Sequence, residues 1–234
     1  MCGRFATRFN GDSLIRQLPL AASLLIRAEL KPRYNIAPTQ AIPALRAADS
    51  ATCHLDLLRW GLVPHWSKGP DSRYAMHNAR LEAVETKPAY RQAFARQRCL
   101  IPADGWYEWQ ARPQPAGKQA CFIHTRRDTV FCFAGLWDHW RDPSGALLES
   151  CTIMTSAADS RLEAIHPRMP VVLDPQGYSS WLDPELTDSQ TLKALVAAHL
   201  YTDFCVTPVS RHVNNAGNDD PRCVEPLAQD LPGG

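Results

Sequence analysis

The sequence opens MCGRF, and its second residue carries unusual chemistry once the preceding methionine is removed. An N-terminal Cys2 would present an α-amine and a thiol two carbons apart on one residue. Such an amine titrates at roughly 7.7–8.0 and such a thiol at about 8.5, so both nucleophiles are accessible near neutrality. The pair attacks an aldehyde twice: the amine condenses to an imine, and sulfur then closes a five-membered thiazolidine. An internal cysteine offers sulfur alone. Cysteine is small enough to permit methionine removal, although, taken without context, a second-position cysteine without any role is the simpler account of this stretch.

Other segments offer partners for that chemistry. Glu108 lies in DGWYEW, where an extended chain puts Asp104, Trp106 and Glu108 on one face. A carboxylate among aromatics is a candidate for a raised pKa and for proton transfer near neutrality. Pairing to an arginine at a strand end is the alternative. HNARLEAV supplies Asn78, an uncharged donor and acceptor suited to orienting an amine or a sugar hydroxyl. Arg80 would face the same way and can hold a phosphate bidentately; an Asn capping the next helix explains the stretch as well. In AIHPRMPVVL, His166 sits at a predicted helix end, where it can exchange protons near pH 7 or play a structural part. Trp66 in WGLVPHW (60–66) offers a flat wall for stacking bases, worth about 1–3 kcal/mol per base, or a half-buried core residue. YNIAPTQ (34–40) completes the set.

The elements that must position these residues are mostly strands. At 234 residues, 45% of them apolar, the chain suits one medium-sized domain with a real core. A net charge of +1 announces no global field for nucleic acid, yet arginine far outnumbers lysine, and guanidinium suits phosphate better than ammonium does. Alternation and β-branched or aromatic enrichment predict strands at 53–60, 98–103, 105–111, 120–125, 130–137, 150–157, 169–173 and 204–210. Helices are predicted at 12–19, 22–30, 86–97, 158–165, 175–182 and, most clearly, 188–200. The order lacks regular βαβ alternation. It predicts an α+β domain around a mostly antiparallel, barrel-like sheet with flanking helices. The Pro- and Gly-rich stretch 221–234 is expected to be irregular.

The eight cysteines form no C-x-x-C pair and match no zinc template, so no metal or other cofactor is expected. Cys121 and Cys132 sit in apolar runs as small hydrophobes, and free thiols point to the cytoplasm. LPLAASLLI (18–26) is too short to span a bilayer and reads as part of a core-facing helix, so no membrane partner is expected.

Taken in order, MCGRF, RYNIAPTQ, RWGLVPHW, HNARLEAV, CLIPADGWYEW, AGLWD, TIMTSAA, IHPRMPVVL and TPVSRHVNN resemble the SRAP family of abasic-site processing proteins, also labelled SOS-response-associated peptidases. The resemblance runs from residue 2 to about residue 216 and implies one SRAP domain, with residues 2–220 as its bounds. It implies covalent cross-linking to abasic sites in single-stranded DNA, by a monomer that is nucleoid-associated when it acts. Carried over by motif, Cys2 is the covalent residue, Asn78 orients its amine or the opened sugar, Glu108 shuttles protons, and His166 assists ring opening. Arg4 and Arg80 match positions that contact phosphates, and Trp66 and Pro38 border the groove. His65–Trp66 stands where two aromatics are usual. The resemblance also implies removal of Met1 as self-processing, and weak lyase behaviour through the imine. A cysteine-nucleophile peptidase using Cys2 and His166 is the competing reading.

Overall fold

Strands fill the middle of the chain, as the alternation predicts, and short helices lie beside them. The computed structural model describes residues 2–49, 51–70, 76–113 and 117–227. The first part runs β1 (Phe5–Thr7), α1 (Gly11–Gln17), β2 (Ser23–Ile26), β3 (Arg33–Ile36), β4 (Ala41–Ala47) and β5 (Thr52–Trp60). Next come β6 (Asn78–Arg80), α2 (Arg91–Arg96), β7 (Arg98–Ala103), β8 (Gly105–Ala111) and β9 (Lys118–Thr125). The last part holds β10 (Phe131–Arg141), β11 (Leu147–Ala157), β12 (Arg168–Pro170), β13 (Val172–Leu173), α3 (Tyr178–Leu182), α4 (Ser189–Ala198) and β14 (Phe204–Pro208).

Five strands close a barrel. Antiparallel pairs link β5, β4, β7, β10 and β11 in turn, and β11 then returns to β5 in parallel through Ser150↔Arg59 and Cys151↔Trp60. Gly135 allows the close approach inside. A Cβ there would lie 2.8 Å from Ile101 Cδ1 and 2.9 Å from Cys99 Sγ. A second, antiparallel sheet in the order β14–β9–β8–β1–β3 packs against the barrel, with β1 between β8 and β3. Period-two alternation feeds two cores. Cys99, Ile101 and Phe133 join Phe5, Trp60 and Trp106 where barrel and second sheet meet. Leu100, Cys132 and Ala134 point the other way, under Leu14 of α1, Phe94 of α2, Trp181 of α3 and Leu192 of α4.

Three predicted helices turn out differently. Residues 22–30 hold the strand β2 instead, paired in parallel to β5 from Ser23↔Thr52 to Ile26↔Leu55. The first half of β5, which β11 does not reach, offers Ser23–Ile26 a ladder of hydrogen bonds, and tertiary pairing overrides helix propensity. The segment 158–165 forms turns, with the Asp159 carboxylate accepting from the Arg161 and Leu162 N–H groups. Within 86–97 only Arg91–Arg96 is helical; Pro88 disfavours α-geometry just before it. Of 221–234, the described part includes a 3-10 turn at Pro221–Cys223 with Cys223 buried, and Val209 bridges Pro226; residues 228–234 lie outside the described residues. All eight cysteines are free thiols. Among the described residues no helix is long and apolar enough to cross a membrane.

Candidate active site

Cys2 enters just ahead of β1 and is fully buried where the second sheet meets the barrel. Asn78, the first residue of β6, donates from Nδ2 to the Cys2 carbonyl at 2.7 Å. β6 runs parallel to β11, with Asn78 opposite Ile153. Three groups clamp the adjoining peptides. Trp60 Nε1 and the Ile153 N–H donate to the His77 carbonyl at 2.8 and 3.1 Å, and the Tyr90 hydroxyl donates to the Asn78 carbonyl at 3.3 Å. The Asn78 Oδ1 is buried and has no hydrogen-bond partner among the described residues. It is an acceptor left over for a donor beside Cys2.

Strand alternation in β8 sends Trp106 and Glu108 to the same face, toward Cys2. Trp106 packs edge-on against Phe204 and Phe133. Glu108 is buried, and burial pushes its carboxyl up to about 7. Burial likewise pushes the Cys2 thiol well above its ordinary value, and the Glu108 charge adds to that rise. The resting sulfur is therefore a thiol, with a group able to take its proton close by. Asp104 does not share the site. It precedes β8 and binds Arg8, accepting from Nε at 2.8 Å and from the backbone N–H.

His166 walls a small recess together with Trp106, Glu108 and Arg168. Its Nδ1 lies 3.0 Å from the Arg168 N–H and 3.1 Å from the Arg168 carbonyl. The neutral ring accepts from the first and the protonated ring donates to the second, so one residue orients both forms. Burial lowers the His166 pKa, which favours the neutral ring. Cys2, Asn78, Glu108 and His166 are thus assembled from four distant stretches of sequence.

The four residues assigned to DNA lie around this centre. Pro38 and Trp66 line a cleft of about 900 Å³ whose wall includes Trp60 and His77, next to Asn78. Trp66 is 59% exposed. Its loop is anchored from β10: Asp138 Oδ2 accepts from the His65 N–H at 3.0 Å, and Trp140 Nε1 donates to the Ser67 carbonyl at 2.9 Å. Arg80 is exposed and makes no side-chain hydrogen bond or ion pair among the described residues. Arg4 is more enclosed, donating from Nη1 to Asn35 Oδ1 and the Val213 carbonyl, both at 2.9 Å, with its guanidinium over Trp109. Sequence reasoning missed Tyr90, the clamp on Asn78, because nothing in KPAYRQ marks a hydroxyl that bonds a carbonyl twelve residues earlier. It also missed Arg59 and Lys68 on the cleft wall, although both flank the WGLVPHW stretch.

These elements define an α+β domain in which a closed barrel and a second sheet enclose a cysteine-centred site. The chain belongs to the SRAP family: the family model described as SOS response associated peptidase matches residues 1–216. The abasic site processing protein YoqW of Bacillus subtilis is 38% identical over 225 residues, which cover 96% of this chain and 99% of that one. The abasic site processing protein HMCES of Xenopus tropicalis is 32% identical over 224 residues, covering 83% of this chain and 66% of that protein. A crystal structure of a Bacteroides thetaiotaomicron protein superposes with a TM-score of 0.81 at 22% identity, covering 97% of this chain and 100% of that chain. A phage-related protein of Bordetella bronchiseptica gives 0.68 at 31% identity, with 89% and 94% covered.

Proposed function

We propose that this protein processes abasic sites in single-stranded DNA by bonding covalently to the ring-opened sugar aldehyde through Cys2. The observation that carries the reading is the Asn78 side chain: Nδ2 fixes the Cys2 carbonyl while the buried Oδ1 is open to a donor. Once Met1 is gone, the Cys2 amine is such a donor, and the bond would turn its lone pair toward the substrate. The names of the YoqW and HMCES relatives point to the same lesion.

The steps follow from the groups present. The amine adds to the aldehyde carbon, and the resulting carbinolamine loses water to give an imine. Sulfur then adds to the imine carbon, its proton leaves, and the imine nitrogen gains one, closing a thiazolidine with no net change in oxidation state. Glu108, titrating near neutrality, accepts and returns these protons. His166 donates to the sugar oxygen as the ring opens, held in register by Arg168 in either protonation state. If a base removes the sugar C2 proton before sulfur adds, β-elimination breaks the strand and gives weak lyase activity. The same proton-transfer groups would serve removal of Met1. The chain acts as a monomer, with Arg80 and the remaining Arg4 donors on phosphates and Trp66 and Pro38 bordering the strand. A peptidase using Cys2 as thiolate is disfavoured, because burial holds this sulfur protonated whereas activated cysteines have depressed pKa values.

The test is a denaturing gel of mature protein mixed with a single-stranded oligonucleotide containing one abasic site. A persistent shifted band is expected for the wild type and none for Cys2→Ala or for protein that retains Met1. A full-yield band from Cys2→Ala would refute the assignment.

A further inference from the structure

Thr39 has a φ of +76°. A β-branched residue in the left-handed region is a genuine outlier, and such strain persists only where surrounding structure imposes it, often at ligand sites. The surroundings here do impose it. Pro38 fixes the preceding φ. The Thr39 N–H donates to the Trp60 carbonyl at 2.7 Å, and its own carbonyl accepts from Arg59 Nη1 at 3.2 Å. Gln40 Oε1 closes the turn by accepting from the Ala37 N–H at 3.1 Å and from Arg33 Nη2 at 2.9 Å.

Glycine would take this backbone geometry with less strain, so the threonine side chain must contribute something the turn itself does not need. Both main-chain polar groups are already used. The hydroxyl makes no hydrogen bond among the described residues, and the residue is exposed on the wall of the cleft that holds Pro38 and Trp66. Arg59, bonded to the Thr39 carbonyl, lines the same cleft. A rigid hydroxyl beside a guanidinium is a donor pair for a phosphodiester, and threonine hydroxyls and arginines both make such contacts.

Building on the DNA reading above, we propose that the Thr39 hydroxyl donates to a phosphate oxygen of the bound strand, with Arg59 supplying the opposing charge. Fluorescence anisotropy with an undamaged single-stranded oligonucleotide isolates this contact from the covalent step. Thr39→Val keeps the shape and removes the donor; affinity should fall on the order of tenfold with Tm unchanged. Thr39→Ser should bind like the wild type. Thr39→Gly should lose affinity as Thr39→Val does while raising Tm by roughly 2–8 °C as the strain is relieved. That opposition of stability and binding is not expected of a purely structural residue. Wild-type affinity in Thr39→Val overturns the role of Thr39 and leaves the DNA reading standing. A wild-type protein with no affinity for the strand overturns both.

Discussion

Glu108 keeps its proton to near neutral pH because burial penalises the carboxylate, lifting the group to about 7 from an ordinary value of about 4.3. Between those two values the folded chain holds a proton that the unfolded chain has lost, so stability falls as pH rises through that window and levels off above it. The full penalty is on the order of 3 kcal/mol once the carboxyl has ionised. Glu108→Gln keeps the shape without the charge. It should raise Tm by several degrees at about pH 8 and change it little at about pH 4. Thermal denaturation at both pH values checks this; an equal gain at both would show that ionisation is not the source. At about pH 8, where Glu108 is ionised, the same substitution should also slow adduct formation, since an amide cannot take the Cys2 proton. Stability gained and activity lost at one position is what a strained proton carrier predicts.

At the scale of elements, the critical piece is β6, a strand of three residues that carries Asn78. So short a strand holds its register only through what surrounds it: β11 on one side, the Trp60 indole behind, and the Tyr90 hydroxyl on the Asn78 carbonyl. Tyr90→Phe removes that last bond and leaves the ring packed. Adduct formation at saturating DNA should slow roughly three- to tenfold, the worth of one net hydrogen bond, while the DNA dissociation constant stays at the wild-type value. Single-turnover cross-linking over a range of DNA concentrations separates the two; a change confined to the dissociation constant would place Tyr90 in binding instead. β6 also marks what the sequence could reveal. Runs such as RCLIPA and GWYEWQA matched β7 and β8 residue for residue, because a short apolar or aromatic run bounded by turn residues is a local signal. β1 and β6 are too short to show any period. β2 was hidden because SLLI suits a helix as well as a strand, and only the free edge of β5 decides between them. The site residues were nameable from motifs, but the Asn78–Cys2 bond, spanning seventy-six residues of sequence, required the fold.

At the scale of the molecule, Asn35 ties the N-terminal strand region to the turns at residues 213–219. This buried side chain accepts from Arg4 Nη1 at 2.9 Å and donates from Nδ2 toward the carbonyls of Val213, Asn215 and Asn218 at 3.1, 3.0 and 2.8 Å. Asp219 adds to the clasp by accepting from the Asn35 N–H at 2.9 Å. Arg4, two residues beyond Cys2, donates to the Val213 carbonyl as well, so the C-terminal turns form a brace behind the N-terminal strand and hence behind the reactive residue. Asn35→Ala removes one of the two Arg4 partners and the amide donor shared by three carbonyls at once, at a cost of about 3 kcal/mol, or roughly 10 °C in Tm for a chain of this size. Asn35→Asp retains an acceptor for Arg4 but turns a donor on the three carbonyls into a repelling oxygen. If the brace acts mainly by holding Arg4, the Asp variant should recover most of the lost cross-linking rate at a temperature where both variants remain folded. If it acts by holding the C-terminal turns, the Asp variant should be no better than Ala. Circular dichroism melts paired with gel-resolved cross-linking rates distinguish these outcomes. The second is expected, because three of the four side-chain bonds run to the C-terminal turns and only one to Arg4.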